Sequence, residues 1–312
     1  MGKINYTIGW VLPILLLMTS YIHGQQEIIL TKYTYNALMF NPAYAGSHGF
    51  GAGTAILQYR NQWLGLKGAP TTALMAVETS LTNDRVGLGV TLGRESVGID
   101  TRNDLSINYA YQIELGKGHL GVGFRTSWSQ YLSNFSGLVN VDKNDPIYAQ
   151  PEVKISLFAV GAGLYYNTQN AYVGIAIPTA TVLESTNNGT FGSRHIYFHT
   201  GMMMGNENAT LNAEPSILLA YEKAAPLQIT LGLNIWYNQK YALGAHFRSQ
   251  DAFALSAEVF LQEHYRFSLA YDFTISELQK YSNGTLELMM AYHFYRKPQI
   301  KRIKHIRYGG RF

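Results

Sequence analysis

Leu105-Ser106-Ile107-Asn108-Tyr109-Ala110-Tyr111-Gln112-Ile113-Glu114-Leu115 alternates without a break. Leu, Ile, Tyr, Tyr, Ile and Leu fall on one side, and Ser, Asn, Ala, Gln and Glu on the other. A period of two is that of a β-strand. Leu227-Gln228-Ile229-Thr230-Leu231-Gly232-Leu233-Asn234-Ile235 and Tyr265-Arg266-Phe267-Ser268-Leu269-Ala270-Tyr271-Asp272-Phe273 repeat the pattern. A soluble sandwich also alternates, because it buries one face in a protein core. Here the apolar face is aromatic and nearly free of charge, and the opposite face is polar or small. A strand standing between lipid and a wet lumen needs that division.

Read outward from these segments, the chain gives an all-β protein: a transmembrane antiparallel β-barrel of fourteen strands. The predicted strands are 50–60, 70–81, 86–94, 103–115, 119–129, 154–167, 170–178, 193–204, 210–221, 227–237, 240–248, 252–261, 264–273 and 284–295. Connections after even strands are tight, such as Gly116-Lys117-Gly118, Asn238-Gln239-Lys240 and Gln262-Glu263-His264. Those after odd strands are mostly longer, at 61–69, 95–102, 130–153, 179–192 and 274–283. An even strand count with alternating short and long connections is the outer-membrane arrangement, with short turns periplasmic and long loops outside. It predicts an integral outer-membrane protein with both termini in the periplasm.

Composition agrees. Only 14% of residues are charged, 13% are aromatic, and 23 are Tyr, against roughly a quarter charged in an average soluble domain. Residues 1–24 read as a cleaved secretory signal, with Lys3 in the n-region, Val11 to Met18 as the apolar stretch and Gly24 as a small residue at the cleavage site. The absence of cysteine excludes disulfides and thiolate metal sites. The net charge of +4 is uneven. Residues 296–312 carry seven basic side chains and no acid, leaving the rest of the chain net acidic. This basic periplasmic tail, with Lys301, Arg302, Lys304 and Arg307, reads either as a solvated end or as an arm for an acidic partner or anionic lipid head groups. The domain reading is thus 1–24 signal, 25–49 a plug or leader segment, 50–295 the barrel and 296–312 the tail.

Nine charges are predicted to face inward: Arg60, Glu78, Glu114, Arg125, Arg248, Glu258, Arg266, Asp272 and Glu287. A lumen whose charges pair with one another accounts for most of them. Gly87-Leu88-Gly89 and Gly121-Val122-Gly123 look like pieces of a phosphate loop, but they lie inside strands with no helix following, so that reading fails its context. His195 and His199 are spaced for a metal on a helix. On a strand they stand roughly 13 Å apart, too far for one ion. No local motif singles out a Ser-His pair, so no enzymatic activity, no cofactor and no metal are expected, and nucleic acid is not an expected partner.

Four stretches resemble the PorP/SprF family of the type IX secretion system, found in Bacteroidetes. These are Phe40-Asn41-Pro42-Ala43-Tyr44-Ala45-Gly46; Tyr59-Arg60-Asn61-Gln62-Trp63 with Gly68-Ala69-Pro70-Thr71-Thr72; Arg194-His195 followed by Pro215-Ser216-Ile217-Leu218-Leu219-Ala220-Tyr221; and Tyr271-Asp272-Phe273-Thr274-Ile275-Ser276 closing with Gly284-Thr285-Leu286-Glu287-Leu288. The long basic tail is less expected for the family. The resemblance implies a non-enzymatic outer-membrane component needed for secretion or surface anchoring of adhesins bearing a C-terminal sorting domain, and for gliding motility. It also implies partners in the periplasmic machinery, among them a peptidoglycan-binding protein, besides outer-membrane lipid. By residue type Arg60, Gln62 and Trp63 are candidate partner-binding residues, although a structural role, capping the barrel or holding the first outer loop, is the favoured reading. A second reading takes the fourteen strands and N-terminal plug as FadL-like, the architecture of long-chain fatty acid transporters, and implies passage of a hydrophobic small molecule.

Overall fold

The computed structural model describes residues 30–49, 52–81, 85–135, 152–185, 194–205, 209–223 and 225–295. The signal segment, the basic tail with Lys301, Arg302, Lys304 and Arg307, and much of the connections 130–153 and 179–192 lie outside the described residues.

Fourteen strands form one closed antiparallel barrel in which every strand pairs with its neighbours in sequence and β1 closes on β14. They are β1 Ala52–Asn61, β2 Thr71–Leu81, β3 Val86–Val97, β4 Asp100–Leu115, β5 Gly118–Asn134, β6 Glu152–Asn167, β7 Ala171–Ser185, β8 His195–Met202, β9 Leu211–Glu222, β10 Gln228–Tyr237, β11 Tyr241–Arg248, β12 Ala252–Leu261, β13 Tyr265–Thr274 and β14 Thr285–Tyr295. The closing ladder runs from Ala52↔Tyr295 to Asn61↔Leu286. Closure leaves no sheet edge unpaired, which lipid requires of any spanning sheet.

The alternation decides the faces as expected. On β4 the side chains of Ser106, Asn108, Ala110 and Gln112 are buried inside, while Ile107, Tyr109, Tyr111 and Ile113 are exposed on the wall. Tyr237, Tyr241, Tyr265 and Tyr292 ring the rim that carries the tight turns, and Tyr59, Tyr221, Phe247, Phe253 and Phe273 ring the other. From Tyr265 to Phe273 the strand covers about 27 Å, and nearer 20 Å after a tilt of about 40°, which suits the apolar band of an outer membrane. Two tight turns, at Asn238-Gln239 and Gln262-Glu263, hold both central residues at positive φ between 47° and 59°. That is the two-residue hairpin geometry that matches strand twist.

Two expectations are corrected. The stretch 95–102 is not a loop: β3 and β4 continue through it, pairing Glu95↔Arg102 and Val97↔Asp100 and leaving only Gly98 and Ile99 between them. β5, β6 and β7 likewise outrun their predicted ends, so β4 to β7 have 15 to 17 residues where the other strands have 8 to 12. Beyond the apolar band both faces of a strand are wet, and alternation no longer marks it. Glu114 is the second correction. It was expected inside but is exposed where β4 meets the Gly116 turn, past the level at which the lumen encloses side chains.

The lumen is not empty. Residues 30–49 run through it, with one-turn 3-10 helices at Ala37–Met39 and Pro42–Tyr44. All but a few of these residues are buried. The segment starts among the ends of β1, β11, β13 and β14 away from the tight turns, at Arg60, Arg248, Asp272 and Glu287, and reaches the tight-turn rim near Glu78 and Asn167. Ala52 and Tyr295, the ends of the barrel proper, lie at that second rim, whereas Leu30 lies at the first.

Candidate functional site: the plugged lumen

At the end away from the tight turns, the backbone N–H groups of Thr31 and Lys32 both donate to the Glu287 carboxylate, each at 2.9 Å. Gln58 and Arg60 donate to the same carboxylate at 2.9 and 2.8 Å. Asp272 accepts from Arg60 at 2.8 Å and from the Thr31 hydroxyl at 2.8 Å, and Arg248 links Asp272 to Asp251. Burying a charge is costly unless it is paired and hydrogen-bonded, and here side chains from strands far apart in sequence pair directly while the plug supplies further donors to the same carboxylates. Arg60, a candidate partner-binding residue, is 2% exposed with its guanidinium held by two carboxylates of this network. Gln62 and Trp63 are half-buried and shape the first outer loop. Gln62 N–H donates to the Pro70 carbonyl, and Trp63, at φ 46°, donates its N–H to the Thr285 hydroxyl.

Below this lies a second cluster. The Lys32 ammonium pairs with Glu258 and donates to Asn234 and Ser256. Arg266, fully buried, stacks 4.1 Å from the Tyr35 ring and 5.0 Å from Trp236 and Phe260, a cation–π cage that replaces water around the guanidinium. Glu214 accepts from the Tyr35 hydroxyl, the Trp236 indole and Asn234. The Tyr33 hydroxyl donates to Ser216 at 2.9 Å.

The plug's middle is held through its backbone. Arg125 donates to the carbonyls of Leu38 and Met39, capping the first 3-10 turn, and is itself oriented by Asn108 at 2.7 Å. The Asn41 side chain accepts from Ala43 N–H, which caps the second turn. Its amide donates to the Leu164 carbonyl and lies 3.0 Å from the His199 ring. Gln112 donates to Ala45. At the far end Glu78 accepts from Gly46 N–H and pairs with His48 at 2.6 Å.

The glycines inside the strands now have a cause. A methyl group on Gly121 or Gly123 would overlap Ala43, one on Gly163 would overlap Asn41, and one on Gly87 would overlap Ala45. Gly46, at φ +71°, sits so close to Gly87 that its own methyl would fall 2.6 Å from the Gly87 Cα. The wall is stripped to backbone along the path of Pro42 to Gly46. His195 and His199 do not share a ligand: His195 pairs with Glu222, and His199 stacks on Tyr165 beside Asn41. Among the described residues no His, Asp or Glu cluster could hold a metal ion.

The profile of the type IX secretion system membrane protein PorP/SprF matches residues 22–292, so it takes in plug and barrel together. The chain belongs to the PorP/SprF family. It is thus a type IX secretion barrel of the outer membrane, and the matched range includes the Pro42–Gly46 part of the plug that is set against the glycine path. No curated protein matches the sequence. Among solved structures, the toluene transporter TbuX of Ralstonia pickettii is similar in fold, with a TM-score of 0.53 at 11% identity over 84% of this chain and 93% of that one. A FadL homologue of Pseudomonas aeruginosa gives 0.40 at 10% identity over 78% and 88%. At such identities the likeness is one of barrel architecture.

Lys32, Glu214 and Asn41 escaped the sequence reading. Lys32 and Asn41 lie in a segment with no periodicity, and Glu214 sits on β9 two residues from Ser216 on the same inward face, where alternation could have found it.

Proposed function

We propose that this family member is a closed, non-conducting barrel that secures secreted adhesins at the cell surface. The observation that carries the reading is the lumen filled by the protein's own chain. A cavity clasped by buried ion pairs at both ends is suited to a docking body, not to a conduit for a polypeptide. The tight-turn rim, with Ala52, Tyr295 and the basic tail, faces the periplasm. There the tail meets the periplasmic machinery, including a peptidoglycan-binding protein. The overhanging wall of β4 to β7 and its connections face outward and receive the cargo's C-terminal sorting domain. Adhesins held this way supply gliding motility where the cell has it.

Affinity purification from outer membranes in mild detergent, with mass spectrometry of what co-purifies, tests this. A large surface protein with a C-terminal sorting domain together with periplasmic subunits is the expected result. A second reading, transport of a hydrophobic small molecule, draws on the likeness in fold to a toluene transporter. It requires the plug to leave a continuous apolar path, whereas the aromatic and aliphatic side chains of the lumen pack onto the plug and charged clusters close both of its ends. Recovery of a lone barrel with a bound apolar ligand and no protein would favour it.

A further inference from the structure

The outer wall is not evenly corrugated. Across five adjacent strands, β12, β13, β14, β1 and β2, lies an open trough of about 710 Å³. Its sides are two rows of outward side chains. One row is Tyr59, Leu288 and Leu269, ending in Ala73 on one flank and Ala257 on the other, and register pairing joins each to the next. The second row is Leu57, Met290, Phe267 and Val259, joined in the same way. Every side chain in the two rows is uncharged, and all but Val259 are exposed on the wall. Two residues farther along β13 and β14, on the same face, come Tyr265 and Tyr292, with ring centroids 5.2 Å apart. They join His264 and Tyr295, whose rings lie 5.6 Å apart, in one aromatic cluster at the tight-turn rim.

We propose that this trough is a binding site for one phospholipid, an acyl chain lying between the two rows and the head group at the His264, Tyr265 and Tyr292 cluster. Length supports this occupant. Five strands at the usual spacing of about 4.8 Å make a trough about 19 Å long, and one leaflet of hydrocarbon is about 15 Å deep. Strand tilt turns that direction obliquely toward the membrane normal. Chemistry supports it too: the side chains of both rows are uncharged and lie between the aromatic girdles, while the tight-turn rim beside them offers phenol hydroxyls to a phosphate, at the level where amphipathic rings meet head groups. The alanines at the two ends keep the trough open. A chain seated there lies over the β1–β14 closure, the one ladder that joins the two ends of the barrel.

The test is native mass spectrometry of the full chain, purified in detergent and incubated with dioleoylphosphatidylethanolamine. Substitution A257W fills one end of the trough from the lipid side, where it disturbs no lumen contact, and L231W places the same bulk on the wall of β10 away from it. The expected result is one lipid retained per barrel, about tenfold less of it on A257W, and no change on L231W. Equal retention by A257W and wild type overturns the proposal, as does equal loss from both variants. Absence of lipid from a wild-type dimer that A257W converts to monomer overturns it as well, and gives the trough to a second copy of the chain.

Discussion

Lys32 is a lysine that spends its charge inside a membrane protein, and its surroundings say what removing it does. Its ammonium faces Glu258, whose other oxygen is 3.6 Å from Arg266. Replacing Lys32 by Met leaves a buried carboxylate short of a partner, a change that typically costs about 3–5 kcal/mol. The expected outcome is a clear fall in the denaturant midpoint of the purified barrel. The double substitution K32M with E258Q should recover much of it, since the orphaned charge goes with its partner. Equal midpoints for wild type and K32M would show that the clasp contributes nothing. None of this pairing was legible beforehand. Inward charges on the strands announce themselves by alternation, and eight of the nine lie buried where their faces put them, yet the residue that completes the cluster belongs to a stretch with no period. Trp63 gives the same lesson from the other side. Its type suggests a partner contact, and its backbone, at φ 46°, shows a loop-shaping role that no composition reveals.

At the scale of elements, the plug and the glycine path make a pair. Gly87-Leu88-Gly89 and Gly121-Val122-Gly123 are legible as strand glycines facing inward, but the reason they are small is a contact about 80 residues away in sequence for Gly123 and Ala43. Gly123→Val places two methyl groups where Ala43 lies. The barrel should still close, because its ladders are untouched, while the plug shifts. Limited proteolysis checks this: cleavage within 30–49 should rise in the variant and stay absent in wild type, and protection in both would refute the tight fit. The long strands β4 to β7 are the other element the sequence hid, since water on both faces erases the alternation that lipid imposes. If that overhang receives cargo, replacing 95–102 by a two-residue turn joining β3 and β4 at Arg94 and Asn103 should leave the barrel folded and heat-modifiable on gels, yet lower surface adhesin several-fold by antibody labelling of intact cells. Unchanged labelling would place the docking surface elsewhere.

For the molecule as a whole, a barrel of fourteen strands encloses a lumen wide enough to need filling, and here buried charge networks toward the two ends of the plug flank a core of aromatic and aliphatic side chains around it. Deleting 30–49 exposes Arg60, Arg125, Arg248, Arg266, Asp272 and Glu287 to an aqueous channel. In planar bilayers the deleted protein should pass steady ionic current and the intact protein none. Current through the intact protein would contradict a sealed lumen. Removing 296–312 should leave both the seal and the fold as they are and weaken recovery of periplasmic machinery, and undiminished recovery would take the tail out of that role.

The contacts of residues 30–49 carry one more consequence, for the order of events during assembly. Glu287 and Asp272 lie on one side of the β1–β14 closure, Arg60 and Gln58 on the other, and the plug bonds to both. Its middle presses on wall glycines with no clearance for a methyl group, so it has no free path along the axis of a finished cylinder. A leader so fitted, a mandrel for the cylinder, is expected to be in place before β1 meets β14, and a chain that loses its grip on Thr31 and Lys32 is expected to fail at the joining of the first strand to the last.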